Sequence, residues 1–344
     1  MVSAQSNRLS SAQAAEMVGG SLEGEVPEFI TGIANIASAK SSDIAFVRSE
    51  PDLGGRTIVP SPKAIAESEA GIFLLTPDFP SEGRPCLRVS DPMLAVVVLA
   101  AHFENRPKRL PGIHPAAHIE GSANINPSAS VGPNVVVGDG AAVEAGVILE
   151  SGVIVGEGSA IGPDCHLHAG VVLYPNVTLG KGCTIHAGSV LGSDGFGFHW
   201  DGEGHRKIAH LGGLVIGDHV DIGAGCTIDR GTFNATVIGE GCILDNQVQV
   251  GHNCILGRWV VLCGQVGLGG STEVEDGAVF GGKSGSGGHV RIGAGAKVAG
   301  GSAVLSDVAA GEIVGGHPAT DFHLDQRGKA LLRRMARKKE TASR

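Results

Sequence analysis

The sequence predicts a mainly β fold, a parallel β-helix built from six-residue repeats. From Ile113 to Leu191, every sixth residue is Ile, Val or Leu. A triangular coil with one inward aliphatic residue per side produces this step, whereas a helix or an ordinary strand does not. The chain also holds 55 glycines among 344 residues and only 4% aromatic residues. Both values suit a narrow coil with frequent tight corners and small fillers.

The period resumes twice further along the chain. It returns at Ile216, Ile222 and Ile228, and after a four-residue insertion it runs from Ile238 to Val304. Three sides close one coil, so residues eighteen apart should stack on adjacent coils about 4.8 Å apart. Five cysteines fall four residues after an inward aliphatic, where a small buried side chain is expected. They are Cys165, Cys183, Cys226, Cys242 and Cys254.

The segments outside the repeat define the predicted domain organisation. Residues 1–110 mix a helix-like start, strand-like runs such as DIAFV and GIFLL, and a helix near 91–103, which predicts a small α/β domain. The β-helix is predicted over 111–318, with an excursion at 192–214. Residues 319–344 read as a C-terminal basic helix.

Composition excludes several classes of protein. The net charge of −9 argues against nucleic-acid binding, which needs a positive surface. The longest apolar run, 93–101, is too short to span a bilayer, and no secretory signal is visible, so we expect a cytoplasmic protein without an integral membrane segment. Seven cysteines without a CxxC pair favour free buried thiols over disulfides.

Two of the fourteen histidines lie in contexts that suggest catalysis. His252 follows the polar run DNQVQVG, which includes Asn246 and Gln249, and His289 lies thirty-seven residues later, about two coils away. Histidine can accept a proton at neutral pH. Gly270 is eighteen residues after His252, so its backbone N–H could meet a developing oxyanion beside that histidine. The alternative for each histidine is a solvated side chain.

A second histidine pattern raises the question of a metal. His168 and His186 are eighteen apart and should stack, with His166 close by. Zinc sites need at least three protein ligands, and only two of these histidines are in register. We therefore predict a surface ladder of neutral histidines and no metal site.

Two further segments suggest contact surfaces. The excursion carries Phe196, Phe198 and Trp200 in a chain poor in aromatic residues, although it could also pack on its own coil. The C-terminal helix carries seven cationic residues, which suits either a solvated face or an acidic protein partner. They are Arg327, Lys329, Arg333, Arg334, Arg337, Lys338 and Lys339.

Taken in order, DIAFV, the hexapeptide coils, GSDGFGF, IGDHVDIGAGCTIDRGTF, ILDNQVQVGHNCILG and GGHVRIG closely resemble the UDP-3-O-(3-hydroxyacyl)glucosamine N-acyltransferases of lipid A biosynthesis. The resemblance covers essentially the whole chain. It implies a left-handed β-helix and a homotrimer with active sites between subunits. It also implies an acyl carrier protein as donor of a 3-hydroxyacyl thioester, and the 2-amino group of a UDP-3-O-acylglucosamine as acceptor, without a cofactor.

The resemblance also assigns roles to residues. His252 matches the family's catalytic base and His289 the second histidine of the cleft, while Asn246, Gln249 and the loop of Phe196 would position substrate. Phe46 matches the aromatic residue that stacks on the uracil.

The chain departs from the family pattern at two places. VRSEPDL follows Phe46 in place of an Asn-Pro-Lys-Tyr segment. Lys207 to His210 reads KIAH where the family usually has Lys-Ile-Pro-Gln, so Ala209 and His210 receive no role.

Three alternatives remain at this point. An O-acyltransferase acting on UDP-N-acetylglucosamine would use the same scaffold, although such enzymes typically lack the N-terminal domain. A zinc-dependent β-helical carbonic anhydrase would need a metal. A purely structural solenoid would tolerate loss of His252.

Overall fold

The computed structural model describes residues 8–47, 61–104, 109–316, 327–328 and 330–334. The chain divides into two compact units, Met1–Lys108 and Arg109–Arg344. The first unit contains β1 (Leu9–Ser10), α1 (Ser11–Met17), β2 (Ser21–Glu23), β3 (Phe29–Ile30), β4 (Gly32–Ala34), β5 (Asp43–Phe46), α2 (Pro62–Glu67), β6 (Ile72–Leu75), β7 (Cys86–Arg88) and α3 (Pro92–Phe103).

The first unit is a small α/β domain around a five-stranded sheet in the order β2-β7-β6-β5-β4. The strands β4, β5, β6 and β7 pair in parallel, and β2 is antiparallel to β7. The Asp91 carboxylate starts α3 by accepting the backbone N–H of Met93 and of Leu94, each at 2.9 Å. Phe46 ends β5 opposite Leu74 and packs, half-buried, against the core of the domain.

The second unit is built from short strands, most of them two residues long. They are β8 (Gly112–Ile113), β9 (His118–Ile119), β10 (Asn124–Ile125), β11 (Ser130–Val131), β12 (Val136–Val137), β13 (Ala142–Val143), β14 (Ile148–Leu149), β15 (Ile154–Val155), β16 (Ala160–Ile161), β17 (His166–Leu167), β18 (Val172–Leu173), β19 (Val177–Leu179), β20 (Thr184–Ile185), β21 (Val190–Ser193), β22 (Phe198–Trp200), β23 (His205–Lys207), β24 (Leu214–Ile216), β25 (Asp221–Ile222), β26 (Thr227–Asp229), β27 (Thr236–Ile238), β28 (Ile243–Leu244), β29 (Gln249–Val250), β30 (Ile255–Leu256), β31 (Val261–Leu262), β32 (Gly267–Leu268), β33 (Glu273–Val274), β34 (Val279–Phe280), β35 (Gly285–Ser286), β36 (Arg291–Ile292), β37 (Lys297–Val298), β38 (Ala303–Val304) and β39 (Ile313–Val314).

Apart from β22 and β23, these strands form three parallel faces of nine, ten and eleven strands. Each strand pairs with the strand one coil away, as β12 does with β15, Val137 facing Val155 eighteen residues later. The inward aliphatics form one continuous core, in which Val137, Leu173 and Val250 are almost fully buried. The predicted fold class, a parallel β-helix of hexapeptide repeats, is confirmed. Ile113 is 50% exposed because β8 pairs on one side only, with β11.

The cysteines are buried fillers, as their spacing predicts. Cys226, Cys242 and Cys254 are fully buried and free of disulfides, and each thiol donates to a backbone carbonyl of the next coil at 3.0–3.3 Å. Burial raises the pKa of Cys242 and of Cys254 to about 11. These thiols therefore contribute to packing and are poor nucleophiles.

The chain leaves the coil after β21 and rejoins it at β24. Between them, β22 and β23 form an antiparallel hairpin in which Trp200 faces His205. Arg230 ties the start of this insertion to the coil, since its Nε donates to the carbonyl of Gly192 at 2.7 Å. This hydrogen bond anchors the insertion to the β-helix where it begins.

Residues 327–328 and 330–334 are helical. Among the helices that the structure describes, none is long and apolar enough to cross a membrane.

Candidate active site

His252 lies at a corner of the coil, directly after β29, with its ring between two glycines. A Cβ built on Gly270 would lie 2.7 Å from both Cε1 and Nε2 of His252. A Cβ on Gly195, in the insertion, would lie 2.6 Å from the Cβ of His252. Real Cβ atoms do not come so close, so the half-buried ring fits only because both neighbours lack a side chain.

Asn253 determines which nitrogen of His252 carries the proton. The side-chain amide of Asn253 has a defined orientation, because its Nδ2 donates to the carbonyl of Asn234 at 3.2 Å while its Oδ1 accepts from N and Oγ1 of Thr232 at 3.1 and 3.0 Å. The same Oδ1 lies 3.0 Å from Nδ1 of His252. An oxygen can only accept, so Nδ1 must donate, and the lone pair of the neutral ring is on Nε2.

Gly270 and His289 lie close to His252 on the following coils, as the repeat predicts. Ser271 N–H donates to the His252 carbonyl at 2.8 Å, and His289 N–H donates to the Gly270 carbonyl at 3.1 Å. The Gly270 N–H makes no hydrogen bond with any residue that the structure describes, which leaves it available to a ligand. His289 is exposed and stacks above Ser271, one residue out of register with His252.

Gln249 reaches the same region through Asp229, a residue that sequence reasoning passed over. Nε2 of Gln249 donates to Oδ2 of Asp229 at 3.3 Å, and Oγ of Ser193 donates to Oδ1 at 3.2 Å. Burial raises the pKa of the Asp229 carboxyl, although these hydrogen bonds and the nearby His252 oppose the shift. A partly buried carboxyl group therefore lies beside the histidine.

The other predicted substrate residues lie on three different parts of the chain, and of these Phe196 directly follows Gly195, the glycine that packs against His252. Asn246 is exposed one corner earlier, where its Oδ1 accepts the N–H of Ala224 at 2.8 Å. Phe196 is 84% exposed and contacts Phe198 edge to face, with ring centroids 5.3 Å apart. Phe46 belongs to the first unit, and the segment that follows it, 48–60, lies outside the described residues.

His210 is a buried residue at the end of the insertion, and sequence reasoning assigned it no role. It is 6% exposed, and its ring meets that of His252 edge to face, with centroids 5.6 Å apart and an interplanar angle of 74°. The path of a loop without periodicity cannot be read from its residues, which is why this contact was missed.

The predicted histidine ladder is present and includes a carboxylate. The rings of His166 and His168 stack with centroids 4.0 Å apart, and those of His168 and His186 with centroids 4.7 Å apart. Glu150 lies 3.1 Å from Nε2 of His166 and 3.5 Å from Nδ1 of His168, and it also pairs with Arg109 at 3.2 Å. Burial raises the pKa of the Glu150 carboxyl, but His166, His168 and Arg109 outweigh it, so the pKa is lowered overall.

Glu150, His166 and His168 could hold a metal ion, since one donor atom from each lies within 4.8 Å of the others. An imidazole binds a metal in the plane of its ring, however, and rings stacked at only 27° to each other do not aim at one point. The arrangement favours a stack of histidines on a shared carboxylate over a zinc centre.

The described part of the C-terminal basic segment is helical and exposed. It includes Arg333 and Arg334. Lys329 and 337–339 lie outside the residues whose side chains are described.

Comparisons with known proteins agree with the motifs. A family model described as the GMPPB C-terminal domain matches residues 111–194. The UDP-3-O-acylglucosamine N-acyltransferase of Anaeromyxobacter dehalogenans is 38% identical over 253 residues, 72% of this chain and 69% of the relative. The UDP-N-acetylglucosamine O-acyltransferase structure from Moraxella catarrhalis is 31% identical, with a TM-score of 0.48 over 60% of this chain and 72% of that one.

A third relative, the UDP-3-O-acylglucosamine N-acyltransferase of Alcanivorax borkumensis, is 42% identical over 234 residues, 67% of each chain. This chain therefore belongs to the UDP-3-O-acylglucosamine N-acyltransferase family and is an acyltransferase.

Proposed function

We propose that this protein transfers a 3-hydroxyacyl group from acyl carrier protein to the 2-amino group of UDP-3-O-acylglucosamine in lipid A biosynthesis, with His252 as general base. The names of its relatives support the acceptor. The observation that carries the chemistry is the Asn253 contact, which leaves the lone pair of His252 on Nε2, the ring atom that faces Gly270.

The reaction begins with attack of the sugar amine on the thioester carbonyl. His252 Nε2 takes one proton from the amine as the new C–N bond forms, and Asn253 stabilises the resulting imidazolium by accepting from Nδ1. The carbonyl oxygen becomes an oxyanion, and the N–H of Gly270 donates to it. When the C–S bond breaks, the imidazolium returns the proton to the departing sulfur, which leaves as the carrier thiol.

The remaining predicted residues act in binding. Phe46 stacks on the uracil, Gln249 orients polar groups of the sugar through its link to Asp229, and His289, Asn246 and Phe196 line the cleft. The exposure of Asn246 and Phe196 supports contact with a substrate or a neighbouring subunit.

A homotrimer is supported by apolar side chains on the outer surface of the coil. Val136 and Ile154 are neighbours on adjacent strands and are 37% and 42% exposed. Ile243 and Ile255 are about half exposed on other strands. Of these side chains Val136 and Ile154 are contiguous, and contiguous exposed aliphatics mark protein interfaces. Sedimentation equilibrium on the purified protein tests the trimer directly.

The acidic acyl carrier protein is proposed to dock on the C-terminal basic helix. The protein has a net charge of −9, so an acidic partner needs a local positive patch. Arg333 and Arg334 are exposed there. Changing both to Glu should raise the KM for carrier protein, and the rise should shrink with added salt because the Debye length is about 8–10 Å at physiological ionic strength. A salt-independent, unchanged KM together with a shifted melting temperature would assign the helix to packing instead.

The central experiment follows 3-hydroxyacyl transfer from carrier protein to UDP-3-O-acylglucosamine by the wild-type protein and by His252→Ala. The variant should lose about two to four orders of magnitude in kcat with its trimer intact. His118→Ala, an exposed histidine on the first turn of the same β-helix, serves as the control. A loss below tenfold in His252→Ala would remove His252 from the chemistry. Faster acylation of UDP-N-acetylglucosamine would favour the O-acyltransferase alternative.

A further inference from the structure

His210 presents a buried nitrogen without a partner. Its Nδ1 lies 3.0 Å from the carbonyl oxygen of Ile208, which can only accept, so Nδ1 carries the hydrogen. The lone pair of the neutral ring is then on Nε2. That atom is shielded from solvent and has no hydrogen-bond partner among the residues that the structure describes.

The groups around this nitrogen belong to the candidate active site, the site of acyl transfer. The ring of His210 lies edge to face with that of His252, and the carboxylates of Asp229 and Asp194 both interact with it electrostatically. Gly197 covers one edge of the ring, since a Cβ there would lie 2.9 Å from Cε1 of His210 and 3.6 Å from its Nε2. Two imidazoles thus share one pocket beneath the insertion.

A buried acceptor without a donor is destabilising, and a hydrocarbon side chain of similar size would avoid the loss. The arrangement becomes favourable when a ligand brings the missing donor. A primary amine has two N–H groups, whereas a hydroxyl has a single O–H. Two hydrogen bonds of about 2.9 Å from one amine nitrogen place their acceptors about 5 Å apart, a separation within the reach of two imidazoles whose centroids are 5.6 Å apart.

We propose that His210 is a specificity-determining residue of the transfer site, whose Nε2 accepts the second N–H of the acceptor amine while His252 takes the first. The inference rests on the proposed N-acyl transfer. Held by both imidazoles, the amine directs its own lone pair at the thioester carbonyl. A small shift of the insertion at Gly197 uncovers Nε2 for the incoming amine. A hydroxyl nucleophile satisfies only one of the two acceptors, so His210 favours nitrogen over oxygen.

The test compares two acceptors, UDP-3-O-acylglucosamine and the analogue with a hydroxyl in place of the 2-amino group. His210→Leu should lower kcat/KM for the amine by about 10–100-fold, the worth of one well-placed hydrogen bond in a buried site, and change the hydroxyl value less than threefold. His210→Gln, which restores an acceptor, should recover most of the loss. His199→Leu, an exposed histidine of the same insertion, should behave as wild type.

Equal losses for both acceptors in His210→Leu, with no rescue by Gln, would overturn the proposal and leave His210 a packing residue. If the hydroxyl analogue reacts too slowly to measure, a loss below threefold for the amine overturns it as well. Should His210→Leu fail to fold, His210→Met makes the same comparison. Failure of the wild-type protein to acylate UDP-3-O-acylglucosamine would instead refute the proposed function.

Discussion

Replacing Gly270 by alanine adds one methyl group at the transfer site and strains no backbone, because Gly270 is not among the glycines with positive φ. The new Cβ would lie 2.7 Å from Cε1 and Nε2 of His252. Unbonded carbon atoms prefer about 3.5–4.0 Å, so the ring must move by about 1 Å. Gly195 lies against Cβ and Cδ2 of the same histidine and limits the direction of that movement.

The expected loss in kcat follows from this displacement. A misplacement of about 1 Å in a catalytic group costs about 100-fold in rate, equivalent to about 2.7 kcal/mol of transition-state stabilisation. The displaced ring also strains its 3.0 Å contact with Asn253. Stability should change little, because the clash involves one half-exposed side chain at the surface of the coil.

Gly282→Ala is a matched control. Gly282 follows the inward Phe280 by two residues, as Gly270 follows Leu268, but a Cβ there meets nothing nearer than the Gly264 carbonyl oxygen at 3.5 Å. The assay measures kcat and KM for acyl transfer, with melting temperature as the check on folding. A kcat for Gly270→Ala within threefold of wild type would refute the reasoning, and so would an equal loss in Gly282→Ala.

Three further predictions address neighbouring features. Asn253→Gly keeps the left-handed backbone (φ 60°) but removes the hydrogen-bond partner of His252 Nδ1. Because one hydrogen bond is lost, kcat should fall about tenfold with KM unchanged. An unchanged kcat would show that Asn253 has no part in the mechanism. Burial raises the pKa of the Asp229 carboxyl, so its ionisation costs stability as pH rises through that value. Asp229→Asn removes this cost, so its gain in free energy of unfolding over wild type, measured in urea titrations, should grow as the pH rises above about 4, where the carboxyl of the unfolded chain ionises. A gain that does not vary with pH would contradict this prediction. Phe46→Leu keeps an apolar side chain in the first unit but loses base stacking worth about 1–3 kcal/mol. It should therefore raise the KM for the UDP-sugar about 5–100-fold and leave kcat unchanged. A fall in kcat alone would show that Phe46 does not stack on the uracil.

Much of the candidate site could be predicted because it follows the repeat. Gly270 stacks beside His252 because the two residues are eighteen apart, which is one coil. His289 is offset by one residue because it follows His252 by thirty-seven residues, whereas two coils contain thirty-six. In a coil of constant period, the number of residues between two positions determines where they lie relative to each other. That relation ends where the period ends, which is why the sequence did not point to Asp229 or His210.

The sequence by itself determined the coil, its buried aliphatics and cysteines, and the corner on which His252 lies, because each of these depends on a local pattern repeated every six residues. Only the tertiary structure decided which ring nitrogen of His252 carries the hydrogen and which second imidazole lies beside it. The Asn253 amide is oriented by Thr232 and Asn234 about twenty residues away, and His210 is buried by the path of an insertion without periodicity. Hydrogen-bond direction and burial depend on groups distant along the chain, and no spacing rule encodes them.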